Sequence, residues 1–271
     1  MAGPLIFEKN KIDLDFDNVT ITATDGTVDV DAGQSFVNLL RNRRNDSGYG
    51  TGGSSDAGLT TLEVDMTDEH DITDILLVNH NFKAYTIQYW DGAAYQDFAA
   101  AIAETVNTDT TTHHNFTQVS TSKVKLIVQG TMTADQDKLL AQLIITKRLG
   151  QFTGEPLIKK PRQEKGRKVR KMLSGRANVT KSLGAFSCQL AFPPSKVVAD
   201  FQLAEDMFNQ FNGFLVWLCA GDVSNFYTDI PGFRLQDIYL MTCANDLETE
   251  WEDGHFAHGQ KLDITLVESR I

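Results

Sequence analysis

Histidine pairs are the first candidates for chemistry in this sequence. His113 and His114 are adjacent, and His255 and His258 lie three residues apart in a glycine-containing segment. A zinc protease needs two histidines one helical turn apart with a partner glutamate, and structural zinc sites add cysteine pairs. Neither feature accompanies His255 and His258, so this segment is interpreted as a surface turn. His80, at a predicted strand end, is expected to hydrogen-bond locally rather than act as a base.

An acidic stretch offers a second kind of site. "DMTDEHDITD", residues 65–74, contains four Asp and one Glu, and carboxylate oxygens are the ligands that calcium prefers. The order of an EF-hand is absent, and acid-rich turns are usually only solvated. We therefore expect no cofactor and assign no metal ligands, with calcium at this stretch as the open alternative.

Motifs for catalysis are missing. The sequence has no Gly-x-Ser-x-Gly, and none of its cysteines has a nearby polar partner. The glycine-rich segment Asn42 to Gly58 could cradle phosphate, but no Gly-Lys-Ser/Thr and no helix follow it. It is predicted to be a long surface loop. The chain is predicted not to be an enzyme, and no catalytic residue is assigned.

Cysteine use and hydropathy indicate where the chain folds. Cys188, Cys219 and Cys243 are odd in number and lie among apolar residues, which favours buried free thiols. The N-terminus lacks a secretory signal, and no run of about 18 apolar residues could enter a membrane. We expect folding in a host cytoplasm and no membrane insertion.

The charge distribution is uneven. Residues 159–181 contain ten of the 25 Lys and Arg residues and one acid, a net charge of +9 in a chain of −11, so the remainder carries −20. Three interpretations compete: nucleic-acid binding, a solvated linker, or a strand that contacts an acidic face of the next identical subunit. The third is preferred, because no aromatic residue for base stacking is interleaved and several positions are too apolar for a linker. The candidate interface residues are Arg167, Lys168, Arg170, Lys171, Arg176 and Lys181.

The first half, residues 1–150, is predicted to be a β-sandwich. Apolar and polar residues alternate in short segments that end at turn signals such as Asp25-Gly26 and Asp91-Gly92. The alternating positions are Ile12, Leu14 and Phe16; Val19, Ile21 and Ala23; Leu62, Val64 and Met66; Tyr85, Ile87 and Tyr89; Val124, Leu126 and Val128; and Leu139, Ala141, Leu143 and Ile145. Many short strands with regular turns are typical of this architecture.

The same segments resemble a known module. The order "SGYGTGGSSDAGLTTLEVDM", "ITDILLVNHNFKAYTIQYWDG", "KVKLIVQG" and "KLLAQLIITKR", within residues 40–148, resembles a discoidin-type (galactose-binding-like) jelly roll. "LLVNHNFKAYTIQYW" also resembles variants of this module in tailed-phage structural proteins. The resemblance implies that function lies in loops at one end of the sandwich, but it carries over no ligand-binding residue.

The second half, residues 151–271, is predicted to have one helix among strands. "GRANVTK" and the alternating segment Phe186 to Phe192 are predicted to pair across the turn "SLGA". A helix is predicted from an N-cap at Ser195 to an end at Gly213, with apolar residues at spacings of three and four. Three strands follow, so the half is an α+β barrel or sandwich.

This order resembles the tail-tube fold of tailed-phage tube, baseplate and distal tail proteins. The hairpin is "GRKVRKMLSGRANVTKSLGAFSCQLAFPP" and the helix is "SKVVADFQLAEDMFNQFNG". The resemblance implies a structural virion protein that forms a homo-oligomeric ring in the tail and links the tube to the tip or fibres. Its implied partners are its own copies, the tube, hub and fibre proteins, and DNA in transit through a channel. Here the sandwich precedes the ring domain, unlike the usual distal tail protein.

Two other functions are weighed against the tail protein. One is a carbohydrate-binding receptor-recognition or fibre-associated protein, whose Trp90 and Tyr95 beside the turn "WDGAAY" contact a host surface glycan. The other is an accessory domain of an enzyme, which predicts a monomer.

Overall fold

The computed structural model describes most of the chain: residues 3–13, 19–23, 27–28, 49–52, 56–154, 156–163, 166–171, 177–182, 186–195, 197–210, 213–217, 238–244, 249–251 and 260–268. Within these ranges the structure is mainly β with one α-helix, which confirms the predicted fold class. No helix in this part of the chain is long and apolar enough to cross a membrane.

The chain forms two compact units, and their boundary differs from the predicted one at the N-terminus. Residues 9–148 form the sandwich unit, whereas residues 1–8 join residues 149–271 in what we call the second unit. The reason is strand β1 (Leu5–Glu8), which pairs antiparallel with Phe214–Trp217 and buries Ile6 and Phe7 completely. Because the two strands lie about 200 residues apart in the sequence, the local pattern of apolar and polar residues could not predict that they pair.

In the described part of the sandwich unit, eight strands surround a core of their own. They are β2 (Thr20–Ala23), β3 (Thr27–Val28), β4 (Tyr49–Gly52), β5 (Thr60–His80), β6 (Phe82–Trp90), β7 (Tyr95–Glu104), β8 (Thr112–Thr131) and β9 (Leu139–Thr146). Their order is β3-β4-β9-β5-β8-β6-β7, with β2 also paired to β5. The long strands β5 and β8 pair along most of their length, with register shifts at Asp65/His70 and Ile72/Asp74.

The predicted alternation accounts for the sandwich core. Leu62, Val64 and Met66 on β5 are buried, and so are Val124, Leu126 and Val128 on β8. The polar residues between them are half-buried on the opposite face. Strand β9 departs from this alternation. Leu139 is 48% exposed, whereas Leu140 and the consecutive residues Leu143, Ile144 and Ile145 are buried, so apolar side chains cover both faces of its C-terminal part.

Two local predictions in this unit are wrong. Lys11–Asp13 forms a short 3-10 helix in place of a strand, and Leu14 and Phe16 of the same prediction lie outside the described residues. In this helix the backbone N–H of Asp13 donates to the carbonyl of Asn10, and the backbone N–H of Ile12 donates to the Asn10 side chain. The glycine-rich segment is not one long loop, since β4 lies inside it and pairs with β9. Glycine weakens a strand but does not prevent one where the neighbouring strand supplies hydrogen bonds.

Among its described residues, the second unit has an eight-stranded antiparallel sheet and a separate two-stranded one. Its further strands are β10 (Arg148–Gln151), β11 (Leu157–Gln163), β12 (Gly166–Lys171), β13 (Ala177–Ser182), β14 (Phe186–Ser195), β15 (Phe214–Trp217), β16 (Ile238–Cys243), β17 (Thr249–Trp251) and β18 (Gln260–Glu268). The larger sheet has the order β10-β1-β15-β16-β18-β14-β11, with β17 on β18.

The predicted helix is present in a shorter form. Helix α1 runs from Val198 to Asn209 and buries Leu203, Ala204 and Met207. Ser195 is wrong as its N-cap, because that residue ends β14 and Val197 occupies the cap position. Gly213 follows the helix with φ +87°, a conformation that favours glycine.

The predicted hairpin partner is also wrong. Strand β14 pairs with β11 and β18, while β12 and β13 pair with each other in a hairpin of their own. The described part of the basic segment therefore lies on two short paired strands, in place of the single strand predicted to contact the next subunit. The apolar inward positions of β14, such as Leu190 and Cys188, are buried against β18 in the larger sheet.

Candidate functional site

A tight hairpin positions the two aromatic residues that the sequence singled out. Strand β6 ends at Trp90, and β7 begins at its register partner Tyr95. In the turn between them, the Asp91 carboxylate accepts the backbone N–H groups of Ala93 and Ala94, both at 2.8 Å. These hydrogen bonds lower the pKa of Asp91, and the one from Ala94 has the larger effect. Gly92 has φ +98°, which explains the glycine in "WDGAAY".

Trp90 and Tyr95 form a fixed aromatic pair on the outer face of the sheet. Their ring centroids are 5.2 Å apart in an edge-to-face arrangement, and both side chains are half-buried. The backbone of Trp90 is anchored by Thr121. The Thr121 hydroxyl accepts a hydrogen bond from the backbone N–H of Trp90 at 3.2 Å and donates one to the Trp90 carbonyl at 2.8 Å. The Lys125 ammonium lies 3.4 Å from the centroid of the Tyr95 ring, a cation–π contact. The structure thus brings together both residues of the predicted glycan contact.

Charged and amide side chains surround the pair on the same face. Lys125 also lies 3.7 Å from the Glu63 carboxylate, and the side-chain amide of Gln88 donates to Asp97 at 2.9 Å. Burial, and after it the Glu63 carboxylate, raises the pKa of Tyr95, so the phenol stays neutral at physiological pH. The outer face therefore combines a rigid aromatic edge with amide donors and carboxylate acceptors, groups that suit a polyhydroxylated ligand.

A hydrogen-bond network of buried and half-buried polar side chains lies inside the sandwich. The Phe82 N–H donates to His80 Nδ1 at 3.1 Å, so His80 Nε2 carries the proton that reaches Thr112 Oγ1, also at 3.1 Å. The Tyr85 hydroxyl donates to Thr112 Oγ1 at 3.0 Å and lies 2.9 Å from His114 Nε2. His80 therefore hydrogen-bonds locally, as the sequence predicted. Burial lowers the pKa of both histidines to about 4 and raises the pKa of Tyr85 to about 12.

A second buried polar group is the carboxylate of Asp74, which has no exposed surface. It accepts hydrogen bonds from Arg148 at 2.6 Å, His113 at 2.7 Å and Asn115 at 3.2 Å, while Thr73 donates to its other oxygen. Burial alone would raise the pKa of Asp74, but the bonds from His113, Thr73 and Arg148 lower it. The sequence did not predict this centre, because its members come from three separate strands.

The acidic stretch that could hold calcium lies on β5. Three of its five carboxylates contact cations of the protein: Asp65 binds Lys123, Asp71 lies 3.4 Å from Lys147, and Asp74 binds Arg148. Among the described residues there is no group of three or more His, Cys, Asp or Glu side chains that could hold a metal ion.

The basic interface residues fall on the separate hairpin. Arg167, Lys168, Arg170 and Lys171 lie on β12 and Lys181 lies on β13. Arg176 lies outside the described residues, as do Cys219 and the pair His255 and His258. The other two cysteines, Cys188 and Cys243, are free thiols, and burial raises the pKa of each to about 12.

Comparison with known proteins finds similar folds over about half of the chain. No family model matches the sequence, and no curated protein matches it. One similar structure is CpGH89CBM32-5 of Clostridium perfringens, solved with GalNAc-β-1,3-galactose; it is 16% identical with a TM-score of 0.39, and the match covers 49% of this chain and 97% of that one. Another is chitosan-binding module 1 of a Paenibacillus chitosanase/glucanase, at 12% identity and a TM-score of 0.41, covering 51% and 98% of the two chains.

A larger protein is similar over a small part of its length. A Ruminococcus gnavus GH29 fucosidase is 10% identical with a TM-score of 0.41, and the match covers 52% of this chain but 27% of the fucosidase. The neighbours thus include carbohydrate-binding modules and enzymes that act on sugars. At these identities and TM-scores the similarities assign no function to this chain.

Proposed function

We propose that the sandwich unit is a non-catalytic carbohydrate-recognition module. The observation that carries the proposal is the fixed Trp90–Tyr95 pair on a half-exposed sheet face, beside the side chains of Gln88, Asp97 and Lys125. The pair is braced by the turn and by Thr121, so its geometry exists before any ligand arrives. Preorganisation of this kind reduces the entropy lost on binding.

The chemistry of the face fits a sugar. A sugar ring has an apolar side of C–H groups, which an aromatic ring can cover, and a rim of hydroxyls, which amide and carboxylate groups can bind. On this face the two kinds of group are neighbours: Gln88 and Asp97 are register partners two positions along the strands from Trp90 and Tyr95. One sugar unit could therefore contact both.

The test is a glycan array with the full chain, followed by calorimetry on the glycans that bind. Trp90→Ala should weaken binding by about tenfold or more, the size expected for an aromatic anchor at the centre of a contact. Thr86→Ala is the matched control, because Thr86 lies on the same strand and the same face, four residues from Trp90, and it should bind as the wild type does. Equal binding by Trp90→Ala and wild type, or no binding of any glycan, contradicts the proposal.

A second candidate function belongs to the second unit. It is a structural component of a phage tail that assembles with its own copies in a ring and joins the tube to the tip or fibres. Support comes from an antiparallel sheet and a packed helix in one unit, two of the elements that the tail-tube resemblance implies; the implied hairpin between the basic segment and β14 is not formed among the described strands. Negative-stain images of the purified chain test it: closed rings favour the tail component, and particles of single-chain size count against it.

A further inference from the structure

The hairpin of β12 and β13 is the most strongly basic element of the chain. Residues 166–182 include six Lys and Arg residues and no acid. Its strands pair with each other over six register positions, from Gly166 with Ser182 to Lys171 with Ala177, and among the described strands they pair with no other. Both outer edges of this ribbon are therefore without a described strand partner.

The register contains a local conflict. Arg167 is the register partner of Lys181, and like charges at directly opposed positions destabilise an antiparallel pair. Sequences are usually consistent across levels, and places where a local rule is broken tend to be functional. A surface of negative charge beside the hairpin would remove the conflict. Lysine on an open strand edge also discourages indiscriminate pairing with other strands.

The sandwich unit carries the opposite net charge. Residues 9–148 contain 20 acidic and 11 basic residues, a net charge of −9. Carboxylates among its exposed side chains are those of Asp68, Glu69, Asp91, Asp97, Glu104, Asp109, Asp135 and Asp137. Opposite charges on two different surfaces of one chain produce a head-to-tail contact between copies.

We propose that the basic hairpin docks on the acidic sandwich unit of a second copy of this chain. The contact depends neither on sugar binding nor on closure into a ring. It is electrostatic, so salt at several hundred millimolar, where the Debye length falls to a few ångström, should weaken it.

Light scattering and sedimentation of the full chain across 20–500 mM NaCl test the proposal. Self-association should be strongest at low salt and fall by about tenfold or more over the series. Reversing Arg167, Lys168, Arg170 and Lys171 to Glu should leave a monomer, with the circular dichroism spectrum checking that it is folded. The milder change Lys168→Glu should weaken association, whereas the control Lys83→Glu, which alters net charge equally at an exposed position of the sandwich, should weaken it less.

Zero-length crosslinking of a mixture of ¹⁴N- and ¹⁵N-labelled chains identifies the two surfaces. Mixed-isotope links should join Lys168, Lys171 or Lys181 to sandwich carboxylates. A wild-type monomer at every salt and concentration overturns the proposal, as does association unchanged by the fourfold reversal. Binding of a labelled 20-base-pair DNA duplex by a chain that stays monomeric would instead assign the hairpin to nucleic acid. Salt-sensitive dimers that do not form rings would support this contact and contradict only the ring-forming tail function.

Discussion

At the scale of single residues, the hydrogen-bond network of His80, Thr112, Tyr85 and His114 makes the sandwich sensitive to acid. Both histidines are neutral in the folded protein, because burial lowers the pKa of each to about 4 from the usual 6.5. A proton on His80 Nδ1 would face the Phe82 N–H that this atom accepts. The titratable groups that face these four side chains are Glu104 and Asp109 near Tyr85, and His113 near His114.

The sign of the pH effect follows from these values. The two histidines take up protons below about pH 6.5 in the unfolded chain, but only below about pH 4 in the folded chain. Their contribution to the free energy of unfolding is therefore fully present above pH 6.5 and is lost as the pH falls through this window. His80 alone should account for up to about 3 kcal/mol, and the less buried His114 for less. Urea unfolding between pH 7.5 and 4.5 measures the slope, and His80→Gln, which keeps a donor and an acceptor but does not titrate, should flatten it. An unchanged slope in that variant would contradict the assignment.

The buried carboxylate of Asp74 should matter far more than a neighbouring one in the same strand. Asp74→Asn removes the buried charge that accepts hydrogen bonds from Arg148 and His113, which should cost about 3 kcal/mol of the free energy of unfolding. Asp71→Asn is the matched control, since its ion pair with Lys147 is partly exposed and should contribute less than about 1 kcal/mol. Urea denaturation of both variants at pH 7.5 compares them, and equal losses would show that the burial of Asp74 has no energetic role.

At the scale of elements, the sequence predicts what depends on neighbours in the chain. The alternation around Val64, Ile87 and Val124 identifies three core strands, because a half-buried strand shows its period in about six residues. The Asp91-Gly92 turn likewise places Trp90 beside Tyr95 in the candidate site. The buried centres at His80 and Asp74, the partner of β1 and the separate basic hairpin all depend on pairings between distant segments, which carry no local period.

The N-terminal segment next to β1 gives the element-scale prediction. Gly3 donates its N–H to the Phe152 carbonyl at 3.1 Å, and a Cβ there would meet that same oxygen at 2.5 Å as well as the Gly154 carbonyl. Gly3→Ala should therefore destabilise the second unit by about 1–3 kcal/mol through overpacking. Gly154→Ala is the control, since a Cβ at Gly154 has no described atom within 4 Å, and it should be neutral or slightly stabilising. Thermal melts of both variants decide it; a stable Gly3→Ala chain would mean that the segment does not pack as described.

At the scale of the whole molecule, the chain leaves the second unit after Glu8 and returns to it at Leu149, so the sandwich is an insertion. The arrangement separates two proposed roles. Carbohydrate recognition needs only the sandwich, whereas the contact between copies needs the hairpin of one chain and the sandwich of another. Charge reversal in the hairpin should therefore abolish self-association and leave sugar binding intact.

The insertion also predicts an asymmetry between fragments. Residues 9–148 contain every strand of the sandwich and its core, from Ile12 to Ile145, so this fragment should fold alone with a cooperative transition. Residues 149–271 lack β1, which lies between β10 and β15 in the larger sheet and brings the buried Ile6 into its core. Without it that fragment should remain unfolded or aggregate through the open edge of β15, and a synthetic peptide of residues 1–8 should raise its melting temperature by mass action. Circular dichroism melts of both fragments, with and without the peptide, measure this. A 149–271 fragment that folds unaided would show that β1 is dispensable, and the sandwich would then be an N-terminal domain and not an insertion.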